Sequence, residues 1–163
     1  MIAVIYQSYL AREENELIRI QQSASVLPYL MAWSSDIGGQ FKFIIGNKGV
    51  GPAFIKEVEI VVLDNKSQDS LIFNNSDLLI AYIEEHSTLL DTTPGYTGTL
   101  RPDMLLSQDE IKEIVVYSYT PPNQVRDIRN AFESFDVNFK ITYEDVYGST
   151  WIYNSNEAAP RKL

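Results

Sequence analysis

The sequence contains no cysteine, and only one of its 163 residues is a histidine. The lack of cysteine excludes disulfides, thiolate metal sites and cysteine nucleophiles together. With His86 as the single imidazole and no Gly-x-Ser-x-Gly motif, a serine hydrolase would have one candidate base and nothing to align it. A zinc site needs several nitrogen or sulfur ligands and is disfavoured for the same reason. We therefore expect no enzymatic activity, no cofactor and no bound metal.

Basic residues are scarce as well. Thirteen lysines and arginines stand against 22 acidic residues, which gives a formal charge of −9. Nucleic-acid binding relies on clustered lysine and arginine and is therefore not expected. An acidic surface instead favours another protein, of basic character, as the partner, and speeds the encounter with it.

Long hydrophobic runs are also missing. The apolar N-terminal stretch Met1–Tyr6 is far shorter than the roughly 20 residues that a membrane-spanning helix requires. Hydrophobic residues still make up 45% of the chain and charged residues 21%, so a globular core can form. The length suits one domain, and no linker rich in proline, glycine or serine divides it.

Residues 1–27 are predicted to form an amphipathic helix. Apolar side chains recur at alternating intervals of four and three residues, as in a heptad repeat, with Glu13 as the one misfit, until Pro28 ends the pattern. Two interpretations remain open: a single helix lying on the domain, or a coiled-coil stalk that carries the domain away from a membrane anchor or pairs it with a second copy of the chain. The residues of this assembly seam are Tyr6, Leu10, Leu17, Ile20, Ala24 and Leu27.

After Pro28 the pattern changes to the alternation that is typical of strands. Short helices are predicted to begin at Ser76 and after Pro121, and residues 91–102 are predicted to be a long surface loop. Residues 28–154 are thus predicted to form a mainly β, antiparallel sandwich, and residues 155–163 a frayed tail. The predicted strands are Tyr29–Trp33, Phe41–Ile45, Val58–Val62, Ile111–Tyr119, Val137–Tyr143 and Thr150–Tyr153.

Two short segments carry strong turn signals. The residues Asn47, Gly49, Gly51 and Pro52 lie between apolar alternating runs and predict a tight connection between two strands. In the second segment Asp145 is followed by Gly148 and ends a predicted strand. Its carboxylate is expected to accept hydrogen bonds from the backbone of the turn.

Aromatic residues offer the only candidate ligand platform. Aromatic rings stack on sugars through an apolar face and a hydrogen-bonding edge, which makes a carbohydrate-binding or carbohydrate-cleaving domain the alternative function. Clustering of these rings with two carboxylates in one groove would support that function, whereas burial in the core would remove it. The candidate rings are Trp151, Tyr147, Tyr153 and Tyr96.

The chain resembles a group of uncharacterised bacterial proteins in which one or two membrane helices precede a small immunoglobulin-like β-sandwich. The resemblance rests on a leading helix, a strand through Trp33, and the motifs Asn-x-Gly-x-Gly-Pro-Ala at 47–53 and Tyr-x-Asp-x-x-Gly at 143–148, and it covers residues 28–153. It implies an immunoglobulin-like sandwich tethered to a membrane and supplies no catalytic residues. This chain lacks a complete membrane helix. Either its sequence begins just after one, with Met1–Tyr6 as the remainder, or the protein is soluble.

These observations predict a non-enzymatic module for protein interaction or sensing in a membrane-associated bacterial assembly. The helix seam would serve assembly, and a sheet face or the loops would serve the partner.

Overall fold

The computed structural model describes residues 2–63, 70–86, 95–118, 129–130 and 132–163, and gives the backbone alone for 2–5, 19, 22–24 and 95–97. Its α-helices are α1 (Ile2–Ser25) and α2 (Ser76–His86), and residues 129–130 and 132–134 are helical. The strands are β1 (Leu30–Ser35), β2 (Gln40–Asn47), β3 (Ala53–Leu63), β4 (Ser70–Phe73), β5 (Gly95–Thr97), β6 (Leu105–Leu106), β7 (Ile111–Ser118), β8 (Val137–Glu144), β9 (Thr150–Asn154) and β10 (Arg161–Lys162).

The strands form two antiparallel sheets, which together we call the β-domain. Sheet I has the strand order β1-β2-β7-β5, and sheet II has the order β10-β9-β8-β3-β4, with β6 also pairing with β3. Along the described strands the chain crosses between the sheets five times, from β2 to β3, from β4 to β5, from β5 to β6, from β6 to β7 and from β7 to β8. The prediction of a mainly β, antiparallel fold with an N-terminal helix is confirmed.

Alternating apolar residues build one core between the two sheets. In the second half of β3 the buried positions are Val58, Ile60 and Val62, and the residues between them face away from the core. The two sheets contact each other through aromatic rings, and Phe43 of β2 stacks on Phe139 of β8 with ring centroids 4.7 Å apart. Burial of these inner faces against each other is what holds the sheets together.

Every predicted strand is present, but the sequence patterns did not predict the short strands β4, β5, β6 and β10. The prediction of a loop over residues 91–102 is wrong at Gly95–Thr97, because β5 pairs with β7 there. The predicted frayed tail is wrong too, since β10 pairs with β9 and the amide of Leu163 donates to the carbonyl of Thr150 at 2.9 Å. Such short strands depend on the edge they join and not on a pattern of their own. The helix predicted after Pro121 begins outside the described residues.

Candidate functional site

Helix α1 stands away from the β-domain along its described length. Side chains 6–18, 20, 21 and 25 are all exposed. The interpretation of a helix lying on the domain is therefore wrong for these residues, because a helix packed on a domain buries its apolar stripe.

The seam predicted from the sequence lies on this exposed helix. The exposed fractions are 64% for Tyr6, 44% for Leu10, 61% for Leu17 and 59% for Ile20. Leu27 is half-buried at the base of the helix, and the side chain of Ala24 lies outside the described residues. A row of large apolar side chains on one helix face is what a partner helix buries in a coiled coil.

The misfit in the seam, Glu13, has a partner on its own helix. The hydroxyl of Tyr9 donates to Oε1 of Glu13 at 2.8 Å, which raises the pKa of Tyr9. Both side chains are exposed, so the pair is accessible to a binding partner.

The junction between α1 and β1 is held by Asn47, whose side chain is completely buried. Its Oδ1 accepts the backbone N–H groups of Tyr29 and Gly49, each at 3.0 Å. Its Nδ2 donates to the carbonyl of Gly51 at 2.7 Å and to that of Leu106 at 3.0 Å. All the hydrogen-bonding groups of this side chain are satisfied, so a buried polar residue here stabilises the junction.

Two glycines of the same loop press against the chain as it leaves the helix. A Cβ at Gly51 would lie 1.8 Å from the carbonyl oxygen of Val26, and one at Gly49 would lie 2.2 Å from that of Leu27. The amide of Val50 donates to the same Leu27 carbonyl at 3.0 Å. The loop predicted to connect two strands thus also contacts the residues that follow the N-terminal helix. Local sequence patterns did not indicate this second role.

Tyrosines from sheet II secure the start of β1 from the other side. The hydroxyl of Tyr143 donates to the carbonyl of Pro28 at 3.3 Å, and that of Tyr153 accepts the N–H of Ala32 at 2.8 Å. Burial raises the pKa of both hydroxyls, so they stay protonated across the physiological range. Together with Asn47, these bonds fix the point at which α1 leaves the β-domain.

The second turn segment is organised by Asp145, of which only 3% is exposed. Its Oδ1 accepts the backbone N–H groups of Tyr147 and Ser149 at 2.8 and 2.9 Å, and its Oδ2 accepts the indole N–H of Trp151 at 3.0 Å. Burial alone would raise the pKa of this carboxyl, but the three hydrogen bonds hold it below its ordinary value. Gly148 closes the turn at a φ of +75°, where a side chain would strain the backbone.

Among the rings proposed for sugar binding, the three whose side chains the structure describes do not form a cluster on the surface. Tyr153 is 5% exposed and belongs to the core, and Trp151 packs against that core while its indole is bonded to Asp145. Tyr147 is half-buried in the turn, and the side chain of Tyr96 lies outside the described residues. An inward-facing strand position places the ring of Tyr153 in the core, which argues against a binding role for it, and the role predicted for the partly buried Trp151 stays a prediction.

A cavity of about 280 Å³ opens beside sheet I. One donor there is unusual: among the described residues, Nε of Arg129 is buried without a hydrogen-bond partner, while its Nη2 lies 2.7 Å from Oδ2 of Asp36. The cavity has room for a small molecule with an apolar body. The lining residues are Ser34, Phe41, Phe43, Arg129, Phe132, Glu133, Asp136 and Val137.

Comparisons with known proteins identify no family for this chain. The chain matches no protein-family model, and no curated protein is significantly similar to it. Within the described residues, no helix has both the length and the apolar character needed to cross a membrane. The same residues contain no group of three or more acidic or histidine side chains arranged to hold a metal ion.

Proposed function

We propose that the protein is a non-enzymatic interaction module that binds a partner through the exposed seam of α1. One observation carries the proposal: the large apolar side chains of the seam are exposed, while the base of the helix is fixed in the β-domain. A helix kept at one orientation with its apolar row uncovered loses less entropy on binding than a mobile one, which favours association.

The β-domain is, in this proposal, an immunoglobulin-like sandwich. In that fold one sheet runs in the order A-B-E-D and the other in the order G-F-C-C′. Sheet I runs β1-β2-β7-β5 and sheet II runs β9-β8-β3-β4, which follows the same pairing with β10 added at one edge. Such domains serve as rigid carriers of binding surfaces, and a carrier role agrees with the anchored helix.

Association with a membrane is part of the proposal through the resemblance to membrane-anchored bacterial proteins. Helix α1 would then hold the β-domain at a set distance from the bilayer. Its 24 residues span about 36 Å at the rise of an α-helix.

The test is a comparison of captured proteins between three forms of the full chain. The wild type, a seam variant carrying Leu10→Asp and Leu17→Asp, and a control variant carrying Asn15→Ala on the exposed helix serve as baits in lysate and membrane extract. We expect proteins that the wild type and the control capture and the seam variant does not. Identical captures by all three forms would reject the seam as the binding surface.

A further inference from the structure

The charges along α1 identify the kind of partner that the seam accepts, an inference that rests on the proposed function. Numbered as a heptad, Tyr6, Glu13 and Ile20 fall at position d, and Leu10 and Leu17 at position a. Positions a and d form the centre of a coiled coil, and positions e and g border it.

Acidic residues occupy the centre and both borders of this seam. Glu13 lies at d, Glu14 at e and Glu16 at g, and all three side chains are exposed. The arginines of the helix, Arg12 and Arg19, fall at position c, outside the contact positions. Every charged residue at a contact position between residues 6 and 21 is therefore acidic.

A second copy of the same helix is a poor match in either orientation. In a parallel pair the d positions face each other, so Glu13 would meet its own counterpart at the centre of the interface. In an antiparallel pair with full overlap, e faces e and g faces g, so Glu14 and Glu16 would each meet their own counterparts. Like charges at these positions oppose pairing, and partial desolvation at the centre makes the repulsion stronger.

We infer that the partner is a different protein, which presents an amphipathic helix with lysine or arginine opposite Glu13, Glu14 and Glu16. Its apolar a and d residues would cover the exposed leucines, isoleucine and tyrosine of α1. Its basic residues would pair with the three glutamates, and the chain's formal charge of −9 would steer the encounter.

The test uses the full chain and three synthetic helical peptides that copy residues 6–27. The first keeps the native residues at positions 13, 14 and 16, the second has glutamine at all three, and the third has lysine at all three. Binding is followed by fluorescence anisotropy. We expect the lysine peptide to bind at least about tenfold more tightly than the glutamine peptide and the native peptide to bind most weakly. The difference should shrink as salt is added, because exposed ion pairs are screened.

A charge reversal provides the matched control. A full-length variant with Glu13→Lys, Glu14→Lys and Glu16→Lys should exchange the order of preference and select the native peptide. These positions lie outside the core, so circular dichroism and the unfolding midpoint should remain those of the wild type.

Several outcomes would overturn the inference while leaving the seam as a binding surface. The first is dimerisation of the chain on its own. The second is binding of the native peptide as tightly as the lysine peptide. Another is binding of neutral phosphatidylcholine vesicles that is lost with Leu10→Asp and Leu17→Asp, which would assign the seam to lipid. If none of the peptides binds, or if the lysine peptide binds the Leu10→Asp and Leu17→Asp variant equally well, the seam itself fails and the proposed function fails with it.

Discussion

The indole N–H of Trp151 donates to Oδ2 of Asp145 at 3.0 Å, and this bond joins the last residue before a turn to the strand that follows it. The ammonium of Lys162 lies 5.9 Å from the centre of the same indole ring, on the neighbouring strand β10. A single carboxylate thus connects the β8–β9 turn to the core, and the lysine adds a cation–π contact over the ring.

Replacing the carboxylate should destabilise the fold. In Asp145→Asn the amide oxygen can still accept backbone hydrogen bonds, but its NH₂ group would face the indole N–H, donor against donor. We expect the free energy of unfolding to fall by about 1–3 kcal/mol, measured by urea denaturation. Glu144→Gln, which removes a half-exposed ion pair with Lys56, is the control and should cost at most about 0.5 kcal/mol. Equal losses for the two variants would contradict the role of Asp145.

The same carboxylate should contribute to the pH dependence of stability. Its pKa in the folded protein lies below the ordinary value of 3.8, so the ionised form stabilises the fold above that value. This contribution is lost as the pH falls through the lowered pKa. We therefore expect the difference in unfolding free energy between wild type and Asp145→Asn to be full at about pH 6 and to shrink towards about pH 3. A difference that stays constant over this range would show that the ionised form has no special stability.

The buried amide of Asn47 should be among the most sensitive positions of the chain. Asn47→Ala removes four side-chain hydrogen bonds and leaves the N–H of Tyr29 and the carbonyls of Gly51 and Leu106 without that partner. We expect a loss of about 2–4 kcal/mol in the free energy of unfolding. The exposed Asn74→Ala should cost less than about 0.5 kcal/mol. Comparable losses would mean that Asn47 is not needed to hold the junction.

Two glycine substitutions should separate the effect of space from that of backbone conformation. Gly51→Ala places a methyl group 1.8 Å from the Val26 carbonyl oxygen, so the chain must shift there, and we expect a loss of about 2 kcal/mol or more. Gly38 has a φ of +71°, and no heavy atom beyond its chain neighbours lies within 4 Å of the position that a Cβ would take, so Gly38→Ala should cost only about 1 kcal/mol. Thermal unfolding of both variants measures the difference. A larger loss of stability for Gly38→Ala than for Gly51→Ala would contradict the close contact between Gly51 and Val26.

Long strands were predictable from the sequence because their own residues carry the signal. In β8, Phe139, Ile141 and Tyr143 alternate with polar residues, and the pattern alone gives the inward face. The strands β5 and β10 carry no such signal, since each exists by pairing with an edge formed by distant residues. The sequence did not predict the role of Gly51 for the same reason. Position 51 must be glycine because the carbonyl of Val26, which is distant in the chain, lies too close for a side chain in the folded protein.

For the candidate site, the spacing of the seam was visible in the sequence, but its exposure was not. Periodicity shows which residues of a helix share a face and not what covers that face. The aromatic residues show the opposite case. Trp151 and Tyr153 look alike as ring-bearing strand residues, and only the register of β9 against β8 shows that both face the core.

The anchored base of α1 has a mechanical consequence. A pull on the helix would enter the β-domain at Leu27 and run along the length of β1, which pairs with β2 from Leu30 to Ser35. Strands loaded along their axis share the force over all their hydrogen bonds at once, whereas strands loaded at one end open bond by bond. Tension on α1 would therefore reach the hydrogen bonds between β1 and β2 through the junction at Leu27.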